Sequence, residues 1–314
     1  MTDDGAEDGG TSVFVAASDG LKLHVREYGT RTAPGLSVVC LPGFTRNAAD
    51  FATLAPALAG GPPQRRVIVI DSRGRGRSEY DSNPANYNLS VELSDIVNVL
   101  IALAARPAVF VGTSRGGLLA MLLGAAQPTA IAGVVLNDIG PVIEPKGLAR
   151  MKTTVGNLPQ PRSLQDGAEI LRRLMAPYFP KLTADQWLGY AQQTWQMKKG
   201  AVVPFYDPRL ARVFAGFDIE RRLPTLWNEF DTLVHVPVLV IRGANSDLLS
   251  AETVTAMRER RTKMEWLEVP DQGHAPLLEG DDIISRIGQF VTTCELDAVK
   301  ARSASTPAAA SLPM

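Results

Sequence analysis

Cysteine, histidine, net charge and long apolar runs are all scarce in this chain, and each scarcity removes a class of function. Two cysteines in 314 residues, Cys40 and Cys294, build neither a disulfide framework nor a Cys-x-x-Cys metal site. Cys40 falls in the apolar run 36–41 and reads as a small buried hydrophobe. Lys and Arg total 32 against 33 Asp and Glu, a net charge of −1. That balance gives no basis for a nucleic-acid partner or an acidic membrane surface. No apolar run reaches membrane-spanning length. Residues 1–10 are acidic and polar, without the basic and apolar regions of a signal peptide. A reduced, cytoplasmic protein with no metal and no cofactor is expected, as a monomer or homodimer. Arg73, Arg75 and Arg77 form a local basic run, but Gly74 and Gly76 lack a third glycine in register and a polar loop follows. A phosphate cradle is therefore not expected there.

What is present is Gly112-Thr113-Ser114-Arg115-Gly116, between a short apolar run, 108–111, and a small, helix-prone run, 116–123. Glycines two residues either side of a serine permit a sharp strand-to-helix turn that lifts the hydroxyl clear of the sheet. Serine is a poor nucleophile unless a base activates it, and only three histidines are available. His24 lies in an alternating strand pattern with Leu21, Leu23 and Val25 facing inward, so His24 is expected to point outward. His235 sits at the edge of the apolar run 236–241 and reads as structural. His274 follows Gly273 in a late loop, after a strand pattern at 264–269, and is the candidate base. The base needs an orienting carboxylate. Asp247, in the loop after the apolar strand 236–241, is preferred. Asp138, after the strand 133–136 and before Gly140-Pro141, is the alternative acid.

Strand patterns fall at 12–16, 21–28, 37–41, 67–71, 109–112, 133–136, 238–241 and 264–269. Helical patterns fall at 51–58, 91–104, 116–126, 251–260 and 283–291, with Ser90 expected to cap the second. The alternation predicts an α/β fold: a mostly parallel central sheet of about eight strands, opened by a hairpin, with helices on both faces. It breaks between 141 and 233, where nine prolines punctuate several short helices and no buried strand is evident. One helix is expected over 183–197, capped by Thr183. The expected organisation is a disordered N-terminus at 1–10, a core made of 11–140 and 234–298, a helical cap at 141–233 and a disordered tail at 299–314. Trp187, Tyr190, Trp195, Met197, Phe205 and Tyr206 are the aromatic and apolar cap residues available to face a ligand.

These segments together resemble the α/β-hydrolase family over residues 12–296. The resemblance is carried by Leu41-Pro42-Gly43-Phe44, by Asp71-Ser72-Arg73-Gly74-Arg75-Gly76-Arg77-Ser78, by the serine turn, and by the Ser246-Asp247 and Gly273-His274 loops. The chain order Ser114, Asp247, His274 is that of the family's triad. One departure is Pro42-Gly43, where many relatives carry His-Gly. The resemblance implies an oxyanion hole made of the backbone N–H groups of Phe44 and Arg115. It implies a serine hydrolase cleaving carboxylic esters, with a small-molecule or polymeric ester as partner. The apolar cap favours uncharged acyl groups. Arg46, Trp187, Trp195, Phe205 and Tyr206 are the candidate substrate contacts. The same residue types also serve lactonases and carbon–carbon bond hydrolases, and the fold also serves as a small-molecule receptor.

Overall fold

The computed structural model describes residues 9–215 and 223–305. Eight strands form one sheet: β1 (Thr11–Ala16), β2 (Lys22–Tyr28), β3 (Ser37–Leu41), β4 (Val67–Ile70), β5 (Ala108–Thr113), β6 (Ile131–Asn137), β9 (Val238–Gly243) and β10 (Glu265–Val269). Their spatial order is β1-β2-β4-β3-β5-β6-β9-β10. β2 runs antiparallel to β1 and β4, and all later pairs are parallel. The central strands are buried on both faces, which is why β5 reads as a continuous apolar run and not as an alternating one.

Helices cover both faces. α1 (Leu54–Gly60) and α9 (Asp281–Ser305) lie on one, packing Leu54, Leu58, Ile287 and Phe290 against Val38, Val109 and Val135. α2 (Leu89–Ala102), α3 (Arg115–Ala126) and α8 (Ala251–Arg260) lie on the other, packing Ile96, Val99, Leu119 and Met257 against Val39, Phe110 and Leu136. The cap of α2 is Asn88, whose side chain accepts from the Val91 N–H; Ser90, the expected cap, is already inside the helix. The two candidates are both good capping types. The apolar stripe does not fix which turn is first.

The described residues of the 141–233 segment lie outside the eight-stranded sheet. It contains α4 (Pro145–Thr154), α5 (Leu164–Met175), α6 (Ala184–Thr194) and α7 (Trp227–Thr232). Thr183 and Gln186 form a reciprocal capping box at the start of α6. The expected helix 183–197 ends early, because Trp195 opens a hairpin of β7 (Trp195–Lys198) and β8 (Ala201–Pro204). Its turn residues, Lys199 and Gly200, both have positive φ, the conformation a two-residue hairpin turn requires. At the other end, α9 continues through Ser305. Residues 299–305, expected to be disordered, are therefore helical, which fits the alanines and long charged side chains in that stretch. The expectation for 306–314 and for 1–8 lies outside the described residues. No helix among the described residues is long and apolar enough to cross a membrane.

Candidate active site

Ser114 lies between β5 and α3, at the helix N-cap, with φ 52° and ψ −115°, a strained conformation for a residue with a side chain. The flanking glycines allow it. A Cβ on Gly112 would lie 2.5 Å from the Gly117 nitrogen, and one on Gly116 would lie 2.0 Å from the Leu41 carbonyl oxygen. The turn thus presses the start of α3 onto β3 and β5, and nothing larger than hydrogen fits at either position.

His274 brings its Nε2 to 2.8 Å from Ser114 Oγ and its Nδ1 to 2.7 Å from Asp138 Oδ2. A carboxylate only accepts, so Nδ1 carries the proton and Nε2 is left to accept from the Ser114 hydroxyl. The carboxylate facing the histidine is thus Asp138, the alternative, and not Asp247. The sheet order makes β9 the direct neighbour of β10 and so favours Asp247, but the histidine loop reaches across β9 to the end of β6, where Asn137 Nδ2 donates to the Pro276 carbonyl at 3.0 Å. Local geometry decides between them. Asp138 takes a positive φ of 56° directly after β6 and is fully buried. Besides His274, it accepts from the Gly243 N–H at 2.8 Å and the Ser246 hydroxyl at 2.6 Å, both from the β9 loop. Asp247 is drawn away by a guanidinium. Arg150 of α4 grips it through Nε at 2.7 Å and Nη2 at 2.9 Å. Burial pushes the Asp247 carboxyl up, but the Arg150 hydrogen bonds and charge outweigh it and hold the group below its ordinary 3.8.

The other histidines separate cleanly. His235 is exposed just before β9. His24, expected to face outward, is buried, with Nδ1 2.7 Å from Asp71 Oδ2 and Nε2 3.0 Å from Ser12 Oγ. The loop 71–78 folds back over that face of β2, so strand alternation alone misjudged the side that is covered. Asp71 also accepts from the Ala48 N–H at 2.6 Å and the Arg77 N–H at 3.0 Å, which makes the pair a brace for two loops.

The loop 42–46 runs past Ser114; a Cβ on Gly43 would lie 3.8 Å from Ser114 Cβ. The N–H groups of Phe44 and Arg115 meet no acceptor among the described residues. One buried carboxylate, Glu92 of α2, ties the two residues together. Its Oε2 accepts from Arg115 Nε at 2.7 Å and its Oε1 from Arg75 Nη1 at 2.8 Å, while Arg75 Nε donates to the Phe44 carbonyl at 2.8 Å. The Arg75 and Arg115 guanidinium carbons sit 5.3 and 5.2 Å from the Phe44 ring centroid. Burial pushes the Glu92 carboxyl up, but the two guanidiniums more than offset this and keep it low. The Arg115 side chain is therefore committed to this network. The basic run behaves likewise: Arg73 is held by Asp95, Asp81 and Asp19. Sequence reading missed Glu92, which interrupts the apolar stripe of α2 on its buried face.

A cavity of about 150 Å³ opens above Ser114 and His274. Its far wall comes from α4 and α5, with Arg150, Met151, Val155, Leu171 and Met175. Of the residues singled out as candidate contacts, Arg46 and Tyr190 line it and the rest do not. Trp187 and Trp195 are buried in a separate cluster with Phe179, and Tyr206 packs with Phe44, Tyr87 and Phe214. Phe205 borders a surface groove beside Arg77 and Met197, and Met197 is exposed. Trp187 and Trp195 help hold the inserted segment together, and Tyr190 joins Leu171, Met151 and Met175 at the cavity. Arg46 is fully engaged: Asp50 takes Nε and Nη2, Gln193 Oε1 lies 2.8 Å from Nη2, and Thr194 Oγ1 lies 2.9 Å from Nη1. Asn47 Nδ2 adds a bond of 2.7 Å to the Gln193 carbonyl. No cluster of metal-binding side chains occurs among the described residues.

Residues 38–286 match the sequence pattern of the alpha/beta hydrolase family. The chain belongs to that family. This alpha/beta hydrolase is 34% identical over 281 residues to a 3-hydroxybutyrate-oligomer hydrolase of Cupriavidus necator, covering 86% of this chain and 93% of that one. It is 27% identical over 255 residues to a 2-(acetamidomethylene)succinate hydrolase of Mesorhizobium japonicum, covering 81% and 85%. A crystal structure of an alpha/beta hydrolase from Novosphingobium aromaticivorans superposes with a TM-score of 0.82 at 36% identity, covering 90% of this chain and 98% of that one. Both of these curated relatives are named hydrolases, and this chain is an enzyme with hydrolase activity.

Proposed function

We propose that this chain hydrolyses carboxylic esters through an acyl-enzyme on Ser114, with His274 as base and Asp138 as the orienting acid. The observation that carries the reading is the unbroken relay from Ser114 Oγ through both ring nitrogens of His274 to Asp138. Ser114 Oγ attacks the ester carbonyl as its proton passes to His274 Nε2. Asp138 stabilises the imidazolium and fixes the ring. The Phe44 and Arg115 N–H groups receive the oxyanion, a contribution of about 3–4 kcal/mol per donor in comparable sites. His274 then protonates the leaving alcohol and, in the second half, draws a proton from the water that clears the acyl group. Residues 141–233 serve as a cap over the core formed by 11–140 and 234–298.

The cavity is small beside the ~300–1,000 Å³ of drug-sized sites, and its α4–α5 wall carries Met151, Val155, Leu171 and Met175, which suits short acyl groups. The similarity to a 3-hydroxybutyrate-oligomer hydrolase supports short oligoesters of hydroxy acids as the substrate class. The test is turnover of 4-nitrophenyl butyrate and of a hydroxybutyrate dimer by the wild type and by Ser114→Ala. The variant is expected to lose at least about a thousandfold in kcat while staying folded. A Ser114→Ala protein that keeps its rate removes the serine from the mechanism. Labelling of Ser114 by a phosphonate without multiple turnover points instead to a ligand-binding protein.

A further inference from the structure

We infer that Arg150 reads a free carboxylate on the leaving-alcohol side of the substrate, so that the preferred esters are those ending in an acid group. The inference rests on the ester-hydrolase reading and narrows its substrate. Arg150 projects from α4 into the cavity that contains Ser114 and His274. Its side chain is 17% exposed, and its partner Asp247 is 2% exposed. Asp247 occupies one side of the guanidinium only, through Nε and Nη2. The opposite edge, formed by Nη1 and the second hydrogen of Nη2, remains. Among the described residues, Nη1 meets only the Met175 sulfur, at 3.9 Å. A thioether is a weak acceptor, so among the described residues this edge has no oxygen partner.

The other arginines near the site do not share this condition. Every nitrogen of Arg46 meets an oxygen. Arg115 is turned to Glu92. Among the described arginines that line the cavity, Arg150 alone offers an edge that meets no described oxygen, and the edge suits a planar carboxylate in a forked, two-bond contact. Tyr178 supports the guanidinium at 4.9 Å from the ring centroid, and Asp247 fixes its plane. Leu171, Met151 and Met175 line the same cavity, and apolar neighbours strengthen a charge-assisted bond. A hydroxy-acid oligoester presents such a group at its acid end, beyond the alkoxy carbon of its last ester. Cleavage at that bond releases one hydroxy acid at a time.

The experiment compares 3-butyryloxybutyrate with its neutral primary amide, two substrates with the same scissile bond, by butyrate release. The wild type is expected to favour the free acid at least about tenfold in kcat/KM. In Arg150→Met the ratio of the two kcat/KM values is expected to fall to about one. Because the single change orphans Asp247, the pair is repeated in Arg150→Met/Asp247→Asn, where no buried charge is left alone. A wild-type ratio of one or less overturns the inference, as does a ratio unchanged in both variants. A purely structural Arg150 would lower both rates together and leave the ratio intact. Turnover of 4-nitrophenyl butyrate separates the two readings: if it proceeds without an acid preference, only the role of Arg150 fails. If no ester is turned over, the ester-hydrolase reading fails and this inference with it.

Discussion

Three donors converge on the Asp138 carboxylate, and one of them is the His274 imidazole. Asp247, one strand over, faces a guanidinium. The two acids therefore respond differently to the same chemical change. Asp138→Asn removes the negative charge opposite the imidazolium and presents an amide that can impose the wrong tautomer on the ring. A loss of about 10⁴ in kcat is expected, as for the corresponding change in a serine protease triad. Asp247→Asn weakens the hold on Arg150 but leaves the His274–Asp138 bond in place, so its loss in kcat is expected to be far smaller. Steady-state kinetics on 4-nitrophenyl butyrate decides the order, and equal losses would contradict the assignment. At this scale the serine and the histidine were legible, since the glycine-flanked turn and the scarcity of histidine left little choice. The acid was not. Its selection depends on a positive φ at Asp138 and on Arg150 arriving from a helix about a hundred residues away in sequence, neither of which leaves a local pattern.

At the scale of elements, α2 does more than cover the sheet. Its Glu92 spans Arg75 and Arg115 and so couples the 71–78 loop, the 42–46 loop and the first turn of α3. Glu92→Gln keeps the shape but halves the number of charge-assisted acceptors and leaves two guanidiniums facing a neutral amide. The proposed oxyanion donors would then lose their common anchor. A fall of about ten- to a hundredfold in kcat is expected with KM little changed, because the donors act on the transition state and not on the bound ester. A loss confined to thermal stability would make Glu92 an ordinary buried charge. The strands of the core were legible to within a residue or two, because two-sided burial writes them as apolar runs between turn signals. The β7–β8 hairpin was not, since Trp195 to Lys198 follows a good helix without a break and only the Lys199-Gly200 turn redirects it. Amphipathicity in residues 141–233 was legible as helix but not as function. Trp187 and Trp195 fill the segment's own core, and the cavity takes Tyr190 of α6 with plainer residues of α4 and α5.

For the whole molecule, two carboxylates pull stability in opposite directions with pH. Asp247, paired with Arg150, is held below 3.8 in the folded state, so its contribution is present above that value and is lost as pH falls through the lower folded one. Glu279, which lines the cavity, is raised above 4.5, by burial first and by the nearby Asp50 charge, against the Gln193 hydrogen bond. A raised carboxyl favours folding at low pH, and the advantage disappears as pH rises through the folded value. Glu279→Gln is therefore expected to raise Tm at neutral pH and to make little difference below 4.5. Asp247→Asn is expected to lower Tm at neutral pH, with the gap closing below 3.8. Thermal melts across pH check both signs at once.

The bonds from Arg46 and Asn47 to Gln193 and Thr194 make the end of α6 and the 42–46 loop one mechanical unit. Asn47 and Gln193 lie 146 residues apart in the chain, yet a substitution at Gln193 or Thr194 is felt directly by the stretch that carries Phe44 past Ser114. The inserted segment and the core thus share one tolerance for change at this seam.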